Sequence, residues 1–404
     1  MTTRRSGTGL TLRHPRQILS LIFIVLVVAY TAIAPNFDQP FINYAFASAV
    51  IFLAVAHTGR AAWIAASVAA IGFSLCHALF RQGPHVAASP VSLYAAMLGR
   101  GGLVVLGWRT IWSIGEERRR LLRISLLPVG IVLFVLATLV ALNLTLERSR
   151  VLDSYLYVFD GSLGFQPSFV LGQLFLRYRP VAELARATYF AVPLVIAMTC
   201  AGYLKYGSPW RPLGILASAG VLGYLLYFVF PATGPLYVFG ASFPGSPQLF
   251  ATLAEMHPHP IDLPVPAPRN AMPSLHMAWA LLLWFNCRPL SRTARGLAVT
   301  YVVLTVIDTL GTGEHYLADL AVALPFSVAV QALWTGVRGN TRYAVLAGGA
   351  SLTVIWLVAL RYGTRFFLLS PAVPWGCVIA STLVSFMLER LLYDGGQAKH
   401  AVHE

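Results

Sequence analysis

The chain has 404 residues, of which 57% are hydrophobic and 11% are charged, and its mean hydropathy is +0.69. A soluble globular protein is about half apolar and about one quarter charged, so this composition indicates a membrane protein. The net charge of +14 comes from Lys and Arg in short loops between apolar runs, which is typical of topology signals and argues against nucleic-acid binding.

Apolar runs long enough to cross a bilayer, about 17–25 residues each, recur along the chain. They predict an all-α, polytopic transmembrane helix bundle of about twelve spans, with ten or eleven as the alternative. Most Lys and Arg fall in segments that a cytoplasmic N-terminus would place inside, so we expect that orientation in a bacterial inner (plasma) membrane. The predicted spans are residues 17–34, 41–57, 61–80, 91–112, 122–146, 187–204, 213–230, 273–287, 296–312, 317–336, 343–360 and 372–391.

The spans group into three predicted domains: an N-terminal five-span region (1–146), a central region (147–337) and a C-terminal region of two spans and a tail (338–404). The central region contains two long outer segments. Glu147–Arg186 is rich in aromatics and Arg, which predicts one or two interfacial helices. Ala232–Met272 is rich in Pro, which predicts an irregular loop that serves a site.

Two polar stretches open apolar runs on the predicted outer side: Arg269–His276 and Gly311–Asp319. His315 and Asp319 are spaced i, i+4, so a helix over Glu314–Leu320 would place them on one face. A carboxylate that accepts the imidazole Nδ1–H fixes the tautomer and leaves Nε2 as a nucleophile or base.

Pro273-Ser274 is typical of a helix start, where Ser caps free amides and the N-terminus attracts anions. A second helix beginning at Gly313-Glu314 would complete a cradle for a tetrahedral oxyanion. His276 would then protonate a leaving oxygen, and Arg269 is the nearest cation for the phosphate charge. The stretches therefore predict phosphoryl-type transfer at one membrane surface.

These residues carry a resemblance. Pro-Ser-x-His followed by His-x-x-x-Asp resembles the type 2 phosphatidic acid phosphatase superfamily of membrane enzymes, over about residues 150–335. Leu275, the Met272-Pro273 lead-in, the His315-Tyr316 pair and the Pro-rich Phe230–Tyr237 look more like its inositol phosphorylceramide synthase (inositolphosphotransferase) branch.

The resemblance implies roles for the catalytic residues. In the family, the His matching His315 attacks phosphorus and becomes phosphohistidine, the Asp matching Asp319 orients it, and the His matching His276 is general acid and then base. The implied substrate is a lipid phosphate or phospholipid, with a lipid hydroxyl as acceptor if the enzyme is a transferase. We assign substrate or phosphate binding to Arg269, Ser274, Tyr316 and Tyr237. For Tyr237, a simple interfacial aromatic is the alternative.

The sequence departs from the family in its cations. Asp308-Thr309 stand where the family has Ser-Arg, and the nearest match to its Lys-containing motif, Lys205 to Arg211-Pro212, is one residue short. The outer candidates for phosphate binding are then Arg269, Arg177, Arg179, Arg361 and Arg365.

The function expected from these features is lipid phosphotransfer through a phosphohistidine, without metal or other cofactor. Hydrolysis by the same site is the first alternative, and a non-catalytic lipid-binding or transport protein is the second. A metal site made of His276, His315, Asp319 and Glu314 is a further alternative, but no Cys pair or His-Glu-x-x-His motif supports it. Arg100, in the middle of a predicted span, is either functional or structurally paired.

Overall fold

The computed structural model describes residues 15–34, 37, 39–80, 90–147, 150–245, 257–263, 265–337 and 339–400. It is 81% helical, which confirms an all-α polytopic membrane bundle. Residues 1–14 of the first predicted domain and residues 401–404 of the predicted tail lie outside the described residues. The helices are α1 (Pro15–Ile33), α2 (Pro40–Val55), α3 (Arg60–Phe80), α4 (Pro90–Trp112), α5 (Gly115–Leu144), α6 (Asp153–Ser162), α7 (Pro167–Arg177), α8 (Arg179–Phe190), α9 (Val192–Tyr203), α10 (Arg211–Val229), α11 (Pro235–Phe239), α12 (Leu275–Cys287), α13 (Arg292–Gly311), α14 (Leu317–Trp334), α15 (Asn340–Tyr362), α16 (Thr364–Phe367) and α17 (Ala372–His400).

The count of twelve spans is not confirmed. The described residues contain eight helices long and apolar enough to cross a membrane, or nine if one bent pair is a single span. That pair, Arg179–Phe190 and Val192–Tyr206, bends by 51° where Pro193 opens α9, and it replaces the straight span predicted at 187–204. Three further apolar stretches are shorter: Gln17–Ile33 within α1, α2 and α12. The 13 residues of α12 extend only about 20 Å.

The chain divides into two compact units, residues 1–132 and 133–404, with the boundary inside α5. The predicted division into three domains stays a prediction. In the first unit, α4 packs against α1, α2 and α3. Its Gly99 and Gly101 lie against the backbone carbonyls of Phe46 and Ala66, which leaves no room for a side chain at either position.

Arg100, between these glycines, is 1% exposed. Its Nη2 donates to the carbonyl of Thr31 at 2.9 Å, and its guanidinium lies 4.1 Å from the ring centroid of Phe46. These contacts tie α4 to α1 and α2, and they fit the structural alternative for Arg100.

In the second unit, α14 is buried along most of its length and packs against α10, α12, α15 and α17. Near the C-terminal ends of α12 and α14, Asn286 Nδ2 donates to Gln331 Oε1 at 2.9 Å. Such polar contacts hold helices together where apolar packing alone is no more favourable than contact with lipid. The two helices that follow the predicted catalytic motifs are therefore linked inside the bundle.

The described parts of the two segments predicted to lie outside contain regular structure that the sequence did not predict. Helix α6 is buried on most of its surface, because its apolar residues join one core cluster with Tyr316, Trp356 and Phe367, so it is not an open interfacial helix. The Pro-rich loop contains α11 and two short strands. Strand β1 (Leu146–Glu147) pairs antiparallel with β4 (Ala267–Pro268), and β2 (Arg150–Val151) pairs antiparallel with β3 (Ile261–Asp262).

The close packing of α4 predicts that Gly99→Ala destabilises the first unit. A Cβ at Gly99 would lie 1.9 Å from the carbonyl oxygen of Phe46, so the backbones must separate, at a cost of about 1–3 kcal/mol. The measurement is the thermal unfolding midpoint in detergent. Gly72→Ala in α3 is the matched control, since nothing lies within 4 Å of its Cβ. Equal midpoints for the two variants would contradict the packing.

Candidate active site

The two predicted motifs meet at one end of the bundle. Ser274 is the N-cap of α12, as predicted, and its Oγ accepts a hydrogen bond from the backbone N–H of Met277 at 3.4 Å. Its own backbone N–H donates to the carbonyl of Asp319, in the first turn of α14, at 3.3 Å. The starts of α12 and α14 are therefore joined directly.

His315 lies between Asp319 and Ser274. Its Nδ1 is 3.3 Å from Asp319 Oδ2, and its Nε2 is 3.1 Å from Ser274 Oγ. Because the carboxylate only accepts, Nδ1 carries the proton in this arrangement, and the Ser274 hydroxyl donates to Nε2. All three side chains are buried, with His315 2% exposed.

The contact between His315 and Asp319 does not come from a shared helix face. Helix α14 begins at Leu317, so the prediction of a helix from Gly313-Glu314 was wrong. His315 precedes the N-cap residue, Tyr316, and Asp319 bends back to accept the N–H of Tyr316 at 2.8 Å. A carboxylate in the first turn of a helix is well placed to satisfy these free amides.

The main chain of His315 is held on both sides. Its N–H donates to the carbonyl of Thr309 at 3.1 Å, and its carbonyl accepts from Ser168 Oγ at 2.7 Å. The Pro-rich loop packs closely against Gly313 and Glu314 at Gly234, whose φ is +99°. A Cβ on residue 234 would lie only 2.3 Å from the carbonyl oxygen of Glu314. Glycine is therefore required where this loop approaches the site.

Two carboxylates of α6, which were not predicted as site residues, support the Pro-rich loop and the start of α14. Asp153 accepts from the backbone N–H groups of Thr233 and Gly234, the latter at 2.8 Å. Asp160 accepts from the N–H groups of Leu317 and Ala318 at 2.8 and 3.2 Å. Burial raises the pKa of Asp153 to about 7 and that of Asp160 to about 8, while the amide donors act in the opposite direction. In the sequence, the only sign that these two residues have a role is their acidic side chains among apolar neighbours.

These contacts change the predicted oxyanion cradle. The first amides of α14 are occupied by Asp160 and Asp319, so that helix start is not an open anion site. Any contribution from a helix N-terminus comes from α12, which begins beside Ser274.

His276 lies in the first turn of α12, two residues after Ser274, and is half-buried. Its ring stacks on Tyr189 with centroids 3.9 Å apart and meets the edge of Trp279 at 5.5 Å. The stack restrains the orientation of the His276 imidazole, and no local pattern in the sequence predicts the Tyr189 partner.

The charged groups around His315 are mostly acidic. Burial lowers the pKa of His315 to about 4, with Glu314 opposing this shift, so the imidazole is neutral at physiological pH. Burial also raises the pKa of Glu314, while His315 and Arg186 lower it. Arg186, on α8, acts on both Glu314 and the buried Asp308. It is a nearby cation that the sequence analysis did not consider.

The remaining predicted binding residues lie in different places. Arg269 Nε donates to the carbonyl of Thr145 at 3.3 Å, and its guanidinium lies 5.9 Å from the ring centroid of Phe228. Tyr316 is fully buried in the core cluster beside α6, whereas Tyr237 is half-buried and packs beside strands β2 to β4. The exposed Arg177 and Arg179 flank Tyr178 between α7 and α8, and Arg361 and Arg365 line a separate cavity.

The contacts of His315 with Asp319 and Ser274 orient one buried imidazole inside an apolar helix bundle. Residues 154–333 match the family model described as the PAP2 superfamily, which supports a phosphatase or phosphotransferase enzyme with a lipid-phosphate type of substrate. Searches of curated proteins and of solved structures gave no match. Within the described part of the chain, no group of three or more His, Cys, Asp or Glu side chains could hold a metal ion.

The burial of His315 predicts where activity is lost in acid. Its pKa of about 4 lies below the ordinary value of 6.5, so the His315 imidazole is protonated only as the pH falls through about 4. We expect the acid limb of kcat/KM near pH 4, measured with a phosphodiester whose charge is constant above that pH. Circular dichroism at each pH verifies folding, because the same shift costs stability as the pH falls from 6.5 to 4. An acid limb centred at pH 6.5 would contradict the buried, neutral imidazole.

Proposed function

We propose that the protein is a lipid phosphotransferase that moves a phosphorylated headgroup between lipids through a phosphohistidine at the outer membrane face. The proposal rests on two buried contacts of His315, one with Asp319 and one with Ser274. The carboxylate orients the imidazole, and the Nε2 lone pair is directed at a polar atom that a substrate can replace. Residues 147–337 form the catalytic core in this proposal.

The reaction is a double displacement at phosphorus. His315 Nε2 attacks the phosphorus of a phospholipid while the bond to the lipid oxygen breaks, and that oxygen takes a proton from His276. The phosphorylated headgroup is then bonded to His315. An acceptor hydroxyl gives its proton to His276 and attacks phosphorus, which releases His315. The first lipid leaves as a free alcohol. Each step breaks one bond to phosphorus and forms one.

Ser274 contributes to phosphate binding in this scheme. Its hydroxyl is hydrogen-bonded to His315 Nε2, the atom that must reach phosphorus. A substrate phosphoryl oxygen that accepts the Ser274 O–H would free the lone pair of Nε2 and place phosphorus beside it. Arg269 and Arg186 are the candidates for neutralising the phosphate, and Tyr237 is a candidate headgroup contact.

The local charge favours a phosphodiester donor. Glu314, Asp308 and Asp319 surround the loop of His315, whereas Arg186 is the cation that acts on the first two. Bringing a dianionic monoester into such a buried, carboxyl-rich site costs more desolvation free energy than bringing in a monoanionic diester. A diester donor leaves its headgroup on phosphorus, which is the chemistry of headgroup transfer.

An apolar cavity supports a lipid substrate. It has a volume of about 310 Å³ and is lined by residues of α12, α13, α14 and α17. It begins at Met277 and Leu317, which are neighbours in sequence of His276 and Tyr316, and it extends to Trp284 and Phe386. Met277 and Trp284 are about 10 Å apart along α12, a distance that suits several methylene groups of an acyl chain.

The resemblance of Leu275 and of His315-Tyr316 to the inositol phosphorylceramide synthase branch adds support for transfer over hydrolysis. Water in place of the acceptor hydroxyl would make the same site a phosphatase. The two reactions differ in products, so products decide between them.

The test is incubation of the purified protein with a phospholipid labelled in its headgroup phosphate, with and without ceramide or diacylglycerol. We expect a new labelled lipid only when the acceptor is present, and we expect His315→Ala to abolish turnover because no other group attacks phosphorus. Thermal unfolding of that variant checks folding. Labelled water-soluble phosphate as the sole product would mean a hydrolase, and full activity of His315→Ala would refute the nucleophile.

The acyl-chain cavity predicts a second, separate result. Val303→Trp fills the cavity, and exclusion of about two methylene groups, at about 0.8 kcal/mol each, lowers kcat/KM for long-chain substrates about tenfold. A short-chain, soluble diester should be turned over as before. Leu297→Trp, on the exposed face of α13 and outside the cavity, is the matched control. An equal loss for both substrates would show that the cavity does not bind the chain.

A further inference from the structure

A second cavity, of about 690 Å³, lies beside α6, α15 and α16. Its walls include two guanidinium groups, Arg361 and Arg365, with His257 and the hydroxyls of Ser162 and Thr364. None of the described residues that line it is acidic. Such a set of donors without carboxylates matches a phosphate or another anion.

The state of Arg361 points to a ligand. Its guanidinium is held 4.9 Å from the ring centroid of Tyr155, which also lines the cavity. Its Nη1 is buried, yet it has no hydrogen-bond acceptor among the described residues. A position in the last turn of α15 suits a cation, and a rotation of the Arg361 side chain would bring this unsatisfied donor to an anion in the cavity.

The cavity opens at the same end of the bundle as the candidate active site. Helix α15 packs along α14 after a short connection, so its C-terminal end lies at the end where α14 begins. Helix α6 stands between the two sites, because Asp160 binds the first amides of α14 while Gly161 and Ser162 line the cavity. His315, His276 and Ser274 are not among its lining residues.

We propose that this cavity is a second anion-binding site, which takes a phosphate-type group through Arg361 and Arg365. The group is carried either by an anionic lipid of the same leaflet or by a soluble phosphate. The site is distinct from the catalytic one and does not depend on the proposed reaction.

The experiment is hydrogen–deuterium exchange of the full chain in nanodiscs, read at residues 361–371. One arm compares phosphatidylcholine nanodiscs with nanodiscs that also contain anionic phosphatidylglycerol. The other arm adds inorganic phosphate to phosphatidylcholine nanodiscs. We expect slower exchange at this segment in at least one arm; protection in the first identifies a lipid headgroup, and protection in the second alone identifies a soluble phosphate.

The double variant Arg361→Gln/Arg365→Gln should weaken the apparent binding by about tenfold or more, as expected when charge-assisted hydrogen bonds are removed. Arg150→Gln is the matched control, since Arg150 is exposed and pairs with Asp262 away from the cavity. If the double variant fails to fold, the exposed Arg365→Gln alone carries the test. No protection in either arm, or protection that persists in these variants, would overturn the proposal, whatever the catalytic assays show.

Discussion

The site depends on keeping one neutral imidazole buried between a carboxylate and a hydroxyl. His315 and Asp319 lie out of water, where a charged group is costly unless hydrogen bonds compensate for lost hydration. Asp319 is compensated locally by the N–H of Tyr316, and the next amides of α14 are satisfied by Asp160 on the distant α6. Helix α6 therefore belongs to the site, although it contributes no reacting atom.

The same constraint explains why the Pro-rich loop packs onto residues 313–315. Asp153 fixes the turn at Thr233 and Gly234, and Leu236 N–H donates to the carbonyl of Gly313 at 2.9 Å. The loop thus limits the movement of the backbone that carries His315. In the proposed reaction, a restrained His315 needs little reorganisation when the substrate binds.

Local patterns in the sequence predicted much of this site, and long-range contacts account for the rest. The cap at Ser274 and the approach of His315 to Asp319 follow from residues within four positions of each other. The partnership of Asp160 with α14 spans 157 positions, and nothing in a single sequence marks it. The same limit applies to α6, whose aromatic composition suits both a membrane interface and the core that the structure shows.

The number of spans is equally hard to predict, because apolar composition indicates burial in lipid without fixing the length of a helix.

Asp308-Thr309, which stand where the family that this chain resembles has Ser-Arg, change the charge available near His315. Where the family carries an Arg, this chain has Thr309, whose hydroxyl bonds to the carbonyl of Thr305 at 2.8 Å within α13. The preceding Asp308 is 1% exposed, and its Oδ1 has no hydrogen-bond partner among the described residues. A Thr and a buried Asp at these two positions supply no positive charge to a bound phosphate. Arg186 reaches the same region from α8, so its charge is supplied from another helix and not from the motif itself. Under the proposed function, this replacement and the Arg on α8 fit a diester donor better than a monoester.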